Sequence, residues 1–183
     1  DITDALENHE IHLQRLTEQI AWLTRLKTNT LSMSNAEAQI NCLPLRSIWM
    51  MAINTAHGIL KTPTTVDIHI DESHPHTMIC ADYKALQHAF AEIIANALEH
   101  AKPETQITLN QWATDEWGWF SVTDNGRGMT QEQINDVYSD DIPLGLGLNL
   151  ANRLVDAHGG KLRIDTSPNK GTIVAVKLPK PGK

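Results

Sequence analysis

Glu92 and Asn96 stand four residues apart, a spacing that puts a carboxylate and a carboxamide on one stripe of a helix, one turn from each other. An Asn carbonyl oxygen suits magnesium, which takes oxygen ligands and keeps several waters, while the carboxylate could orient or deprotonate a nucleophile. Further on comes Asp124-Asn-Gly-Arg-Gly128. Two glycines so spaced let the backbone turn tightly beside a flat ligand, and Asp124 can accept a hydrogen bond from an exocyclic amine such as that of adenine. A third stretch, Pro143-Leu-Gly-Leu-Gly147-Leu-Asn-Leu-Ala151, leads glycines into a helix whose free N–H groups would bind phosphate. Each also has a plainer reading: a solvated helix face, a hairpin turn, a loop. The third stretch lacks both the last glycine of the dinucleotide fingerprint and the Gly-Lys-Ser/Thr of a P-loop.

The elements that must position these residues are legible in the hydrophobic pattern. Asp82 stands at the start of a long helix reaching about His100, with Leu86, Phe90, Ile93, Ile94, Ala97 and Leu98 forming its apolar face. Strand-like alternation appears at 66–70, 106–111, 117–122, 161–165 and 172–178, with a short candidate strand at 78–80. Helices are expected at 45–60 and at about 148–157, the latter stopped by His158-Gly-Gly160, and the segment between the two glycine stretches reads as an acidic loop region. Mixed in this order, the elements predict an α+β sandwich, a largely antiparallel sheet with helices on one face. Ahead of it, Ile2, Leu6, Leu13, Leu16, Ile20 and Leu23 recur at alternating four- and three-residue steps with His9 in the one gap, a helix with a coiled-coil-like seam. Its other faces carry Glu7, Glu10, Gln14, Arg15, Glu18 and Arg25, expected to face water. The polar stretch 29–41 reads as a connector, dividing the chain into parts 1–40 and 41–183.

The 183 residues, 41% of them apolar, suffice for one good-sized core plus an appendage. A net charge of −7 and a pI near 5.7 speak against a nucleic-acid partner, which would need clustered Lys and Arg. Cys42 and Cys80 sit in no metal-ligand spacing and read as small core residues without a disulfide, which fits a reducing cytoplasm. No apolar run approaches the roughly 20 residues that span a bilayer, so no direct membrane contact is expected of this segment. His74-Pro-His76 reads as solvent-exposed, and Trp112, Trp117 and Trp119 as cover for a sheet edge.

Together, Glu92-x-x-x-Asn96, Asp124-x-Gly126-x-Gly128, Gly145-x-Gly147 and Gly171-Thr172 resemble the N box, the two glycine boxes and the closing Gly-Thr of the GHKL ATPases, most closely the histidine kinases. The resemblance covers about residues 43–179 and implies a Bergerat fold that binds magnesium-ATP. Asp124 would read adenine, with Thr172 near it. Asn96 would hold magnesium, and Gly126, Gly128, Gly145, Leu146, Gly147 and Leu148 would flank the nucleotide. Glu92 would polarise the nucleophile. The family often carries a basic residue in the lid between the glycine boxes, whereas here that segment holds Glu132, Asp136, Asp140 and Asp141 and neither Lys nor Arg, leaving Lys102 or Arg127 to meet phosphate charge. The first helix is similar to the end of the dimerisation and phosphoacceptor hairpin, which implies a homodimeric full-length protein, a phosphorylated His upstream of Asp1, and a response-regulator receiver domain as acceptor. His9-Glu10-Ile11 is similar to the phosphoacceptor motif itself, but His9 falls on the seam and the stretch to Asn96 is short for the rest of a hairpin. A conformational ATPase of the same superfamily and a non-catalytic scaffold with a degenerate pocket are the alternatives.

Overall fold

The computed structural model describes residues 2–28, 40–59, 65–70, 74, 76–100, 106–141 and 145–182. Five helices and seven strands are described, in the order α1 Ile2–Lys27, β1 Ile40–Pro44, α2 Leu45–Ile59, β2 Thr65–Ile70, β3 Met78–Asp82, α3 Tyr83–His100, β4 Gln106–Ala113, β5 Trp117–Asp124, α4 Gln131–Tyr138, α5 Leu146–Ala157, β6 Lys161–Ser167 and β7 Gly171–Pro179. The main sheet runs β2-β4-β5-β7-β6. The β2–β4 pair is parallel and the rest are antiparallel.

Period-two alternation sets what each strand buries. Along β5, Gly118, Phe120, Val122 and Asp124 face inward, and along β7, Thr172, Val174, Val176 and Leu178 do the same. Helices α2, α3 and α5 cover this face. Phe120 packs against Phe90 of α3 at 4.6 Å and against Trp49 of α2 at 6.0 Å between ring centroids, and the Trp49 indole N–H donates to Gln111 Oε1 at 2.7 Å. Burying each such aromatic stabilises the fold by about 1.5–3 kcal/mol. Asp82 starts α3 as expected, its Oδ1 accepting from the N–H groups of Lys84 and Ala85 at 3.1 and 3.2 Å.

Helix α3 is buried on its outer side too, because α1 lies across it as a third layer. The expected seam of α1 is therefore divided: Leu23 is buried and Leu16 half-buried, whereas Leu13 and Ile20 are 63% and 60% exposed. His9 is exposed, which removes the burial argument against it. Arg15, expected in water, has a side chain only 14% exposed.

Several other expectations are corrected. Ile40 and Asn41, assigned to the connector, open strand β1, which pairs with β3. In that ladder Cys42 faces Cys80 directly, the Cα atoms are 3.9 Å apart, and the two are joined as a disulfide. Neither is a core thiol: Cys42 is exposed and Cys80 half-buried. The acidic loop region contains α4. Trp112 and Trp119 stack at 5.4 Å on the outer face of the inner pair β4–β5, not at a sheet edge, with the Lys177 ammonium 4.3 Å from the Trp117 ring centre. Among the described residues no helix is long and apolar enough to cross a membrane.

Candidate functional site

Strand β5 ends on Asp124, whose inward position follows from the same alternation that buries Phe120 and Val122. Asp124 is 7% exposed, and its Oδ1 accepts from the Gly126 N–H at 2.7 Å. Burial pushes its pKa up, and the backbone N–H groups of Gly126 and Thr172 partly oppose that by binding the charged form. Thr172 stands opposite Asp124 across the β5–β7 ladder. Its hydroxyl lies 3.1 Å from that of Thr166, which donates to the Gly171 carbonyl and accepts from the Met129 N–H. Gly171 has φ +87°, and a methyl there would collide with the Asp124 carbonyl oxygen, so glycine is needed for both conformation and space.

Beside this end opens a cleft of about 670 Å³ between α1, the end of α3, the first glycine turn, α4 and the start of α5. Of the residues expected at a ligand, Asn96, Gly128, Gly145, Leu146, Gly147 and Leu148 line it. Asp124, Gly126, Thr172 and Glu92 do not line it, and Lys102 lies outside the described residues. Arg127 lines it from the first glycine turn, its Nη2 donating to His100 Nδ1 at 3.4 Å. Burial lowers the His100 pKa and the Arg127 charge lowers it further. Helix α5 begins after Gly145, which has φ +101° and makes no side-chain cap, so first-turn N–H groups are left for a ligand.

Glu92 is fully buried one turn from Asn96, under α1. Its Oε2 accepts from Arg15 Nη2 at 2.8 Å and Nε at 3.3 Å, and its Oε1 from Gln19 Nε2 at 3.0 Å. A methyl on Gly147 would come within 2.6 Å of Glu92 Oε2, so the second glycine box closes over the carboxylate. His88 Nε2 lies 3.4 Å from Oε1 without forming a hydrogen bond. Burial lowers the His88 pKa more than Glu92 raises it, so the neutral ring stacks on Trp22 at 5.6 Å. Arg15 also reaches Glu99 at 3.4 Å, and Arg25 reaches Asp82 at 3.4 Å while lying over Trp22. The chain thus places Arg15, Gln19, Trp22 and Arg25 of α1 against Glu99, Glu92, His88 and Asp82. The spacing of 15, 19 and 22 is itself a helical stripe, a signal present in the sequence but outweighed by the reading of charged residues as solvated.

Residues 81–182 match the family described as histidine kinase-, DNA gyrase B- and HSP90-like ATPase. The chain belongs to that family. It is 24% identical over 181 residues to the circadian input-output histidine kinase CikA of Synechocystis, covering 91% of this chain and 24% of that protein. Histidine kinase AdeS of Acinetobacter baumannii superimposes with a TM-score of 0.73 at 14% identity, over 98% of this chain and 84% of that one. The catalytic domain of histidine kinase ThkA superimposes with a TM-score of 0.66 at 19% identity, over 78% and 96%. The family match makes this an ATPase-type domain related to sensor kinases, and the structural likenesses show its α+β fold. The chain spans about a fifth to under half the length of the first curated relatives it matches.

In this ATPase domain residues 130–141, between the glycine boxes, are firmly held. Helix α4 has a reciprocal capping box, Thr130 with Gln133, a Thr-x-x-Gln signal legible in the sequence. Asn149 of α5 donates to the carbonyls of Asp136, Val137 and Ser139 at 2.8–3.1 Å. Arg153 donates to those of Ser139 and Asp140 and to Asn149 Oδ1. Tyr138 is 47% exposed and its hydroxyl accepts from the Ile164 N–H. His76 is exposed, and among the described residues no three His, Cys, Asp or Glu side chains converge on a metal.

Proposed function

We propose that this chain is the catalytic part of a sensor histidine kinase, which binds magnesium-ATP and transfers its γ-phosphoryl group to a histidine on a helix upstream of Asp1. The observation that carries the reading is the cleft in which Asn96 meets the uncapped start of α5 at Gly145–Leu148, with Gly128 and the carboxylate of Asp124 behind it. Asp124 accepts from the adenine amine, and Gly126 and Thr172 hold its carboxylate in position. The N–H groups of Gly147 and Leu148 meet the phosphates, and Lys102 adds positive charge. Asn96, half-buried and lining the cleft, would supply the protein's oxygen ligand for magnesium, which would neutralise charge on the phosphate oxygens. Glu92 polarises the nucleophile. In the arrangement described it is turned to Arg15 and Gln19, so that role requires α1 to leave this position.

The parts 1–40 and 41–183 are then the end of a dimerisation hairpin and an ATP-binding domain, in a full-length homodimer that passes phosphate to a receiver-domain aspartate. A cytoplasmic location, as part of an inner-membrane sensor, goes with ATP as substrate, and the Cys42–Cys80 disulfide is the feature that argues the other way. Burial of Glu92 and the acidic lid favour a second reading, a partner-binding module without nucleotide. Calorimetry with ATP on the wild type, Asn96→Ala and Asp124→Ala separates the two. Binding that needs magnesium and Asn96 and is lost with Asp124 supports the kinase reading. No binding at millimolar nucleotide refutes it.

A further inference from the structure

The geometry points to Arg15 of α1 as the cation that meets the nucleotide phosphates, in place of the basic residue missing from the lid. This inference rests on the ATP reading of the cleft. Between Gly128 and Gly145 there is neither Lys nor Arg, and the cleft wall on that side contributes Asp136. A triphosphate therefore needs positive charge from elsewhere. Arg15 lines the same cleft as Asn96, and its Nη2 lies 3.3 Å from where a Cβ on Gly147 would stand, at the start of α5 where first-turn N–H groups are free. Arg127 is at the other side, in the first glycine turn and turned to His100.

The guanidinium has donors to spare. Nε and one hydrogen of Nη2 go to Glu92, one hydrogen of Nη1 goes to Glu99, and a guanidinium carries five N–H groups in all. Two remain for phosphate oxygens without breaking the Glu92 pair. The side chain is 14% exposed, so its charge is screened less than that of a surface arginine. The buried Glu92 carboxylate, itself held by the Gln19 amide, keeps the fork in place, which lowers the entropy lost on binding an anion. The N-terminal helix thus supplies a wall and a charge to the nucleotide site, and ATP affinity depends on whether α1 is docked.

The test is nucleotide binding by calorimetry, with adenosine measured by competition. Arg15→Ala is expected to weaken magnesium-ATP binding about tenfold, the loss of one charge-assisted contact, and to leave adenosine binding unchanged. Arg15→Lys, which keeps the charge but not the fork, is expected to fall between. Because Arg15→Ala leaves the Glu92 carboxylate buried and unpaired, the double variant Arg15→Gln with Glu92→Gln serves as a second test that removes both charges. It is expected to show the same selective loss of ATP. ATP binding as tight as wild type in both variants overturns the inference, as does an equal loss of ATP and adenosine, which marks a structural role only. Asp124→Ala separates the readings. If it abolishes binding while the Arg15 variants bind normally, only the role of Arg15 falls. If the wild type binds no ATP, both fall.

Discussion

Replacing Gly171 by alanine tests whether strand β7 is locked to the Asp124 carboxylate. Gly171 has φ +87°, where a Cβ costs about 1–2 kcal/mol. Its methyl would also collide with the Asp124 carbonyl oxygen and lie 2.8 Å from Asn125 Cα, both backbone atoms that cannot rotate away. The start of β7 must then move off β5, and the hydrogen bond from the Thr172 N–H to the Asp124 carboxylate is lost, about 1.5–3 kcal/mol for a charged acceptor. The total is roughly 2.5–5 kcal/mol. Gly145 is the internal control: its φ is +101° but nothing lies within 4 Å of its added Cβ, so Gly145→Ala should cost only the conformational part, about 1–2 kcal/mol. Urea denaturation of the three proteins measures the difference, and ATP titration shows whether the displaced carboxylate still binds. Equal losses in the two variants, within about 0.5 kcal/mol, would refute the reasoning, since the clash would then contribute nothing.

Stability should fall as pH drops below about 6.5. Burial holds the pKa values of His158 and His88 below that value, so at lower pH the unfolded chain takes up protons that the native one refuses, and the loss continues until the folded values are reached. His158 donates from Nδ1 to the Leu154 carbonyl at 2.7 Å and accepts at Nε2 from the Asp82 N–H at 3.3 Å, so His158→Gln should flatten part of the slope in denaturant midpoints between pH 7 and pH 5. Arg153→Ala should loosen α4, seen as faster amide exchange over 131–141 with the sheet unchanged; unchanged exchange would show that Asn149 alone holds the segment. Reducing the Cys42–Cys80 bond, which closes a loop of sequence separation 38, should destabilise the domain by about 3–4 kcal/mol, and equal urea midpoints with and without reductant would contradict a constraining role.

What the sequence determined by itself is what depends on neighbours along the chain. Two-residue alternation put Asp124 and Thr172 on the inner face of their strands, the Asp82 cap started α3, and glycines before Leu148 opened α5 without a side-chain cap. Those local facts sufficed for the fold class, whereas Gly128 and Gly145 to Leu148 were expected at a ligand from the resemblance of the whole motif set. The sequence also held the capping box of α4 and the stripe Arg15, Gln19, Trp22, but a turn-rich or charged setting gives such signals a more common meaning. Only tertiary structure decided which residues distant in sequence meet. Cys42 and Cys80 face each other because β1 and β3 pair, and no spacing rule predicts a cross-strand register. Glu92 and Asn96 share a stripe, yet one lines the cleft and the other is sealed, because α1 brings Arg15 and Gln19 over the first of them. A charged side chain is buried only where an opposite charge is already waiting, and for Arg15 that charge lies 77 residues away along the chain.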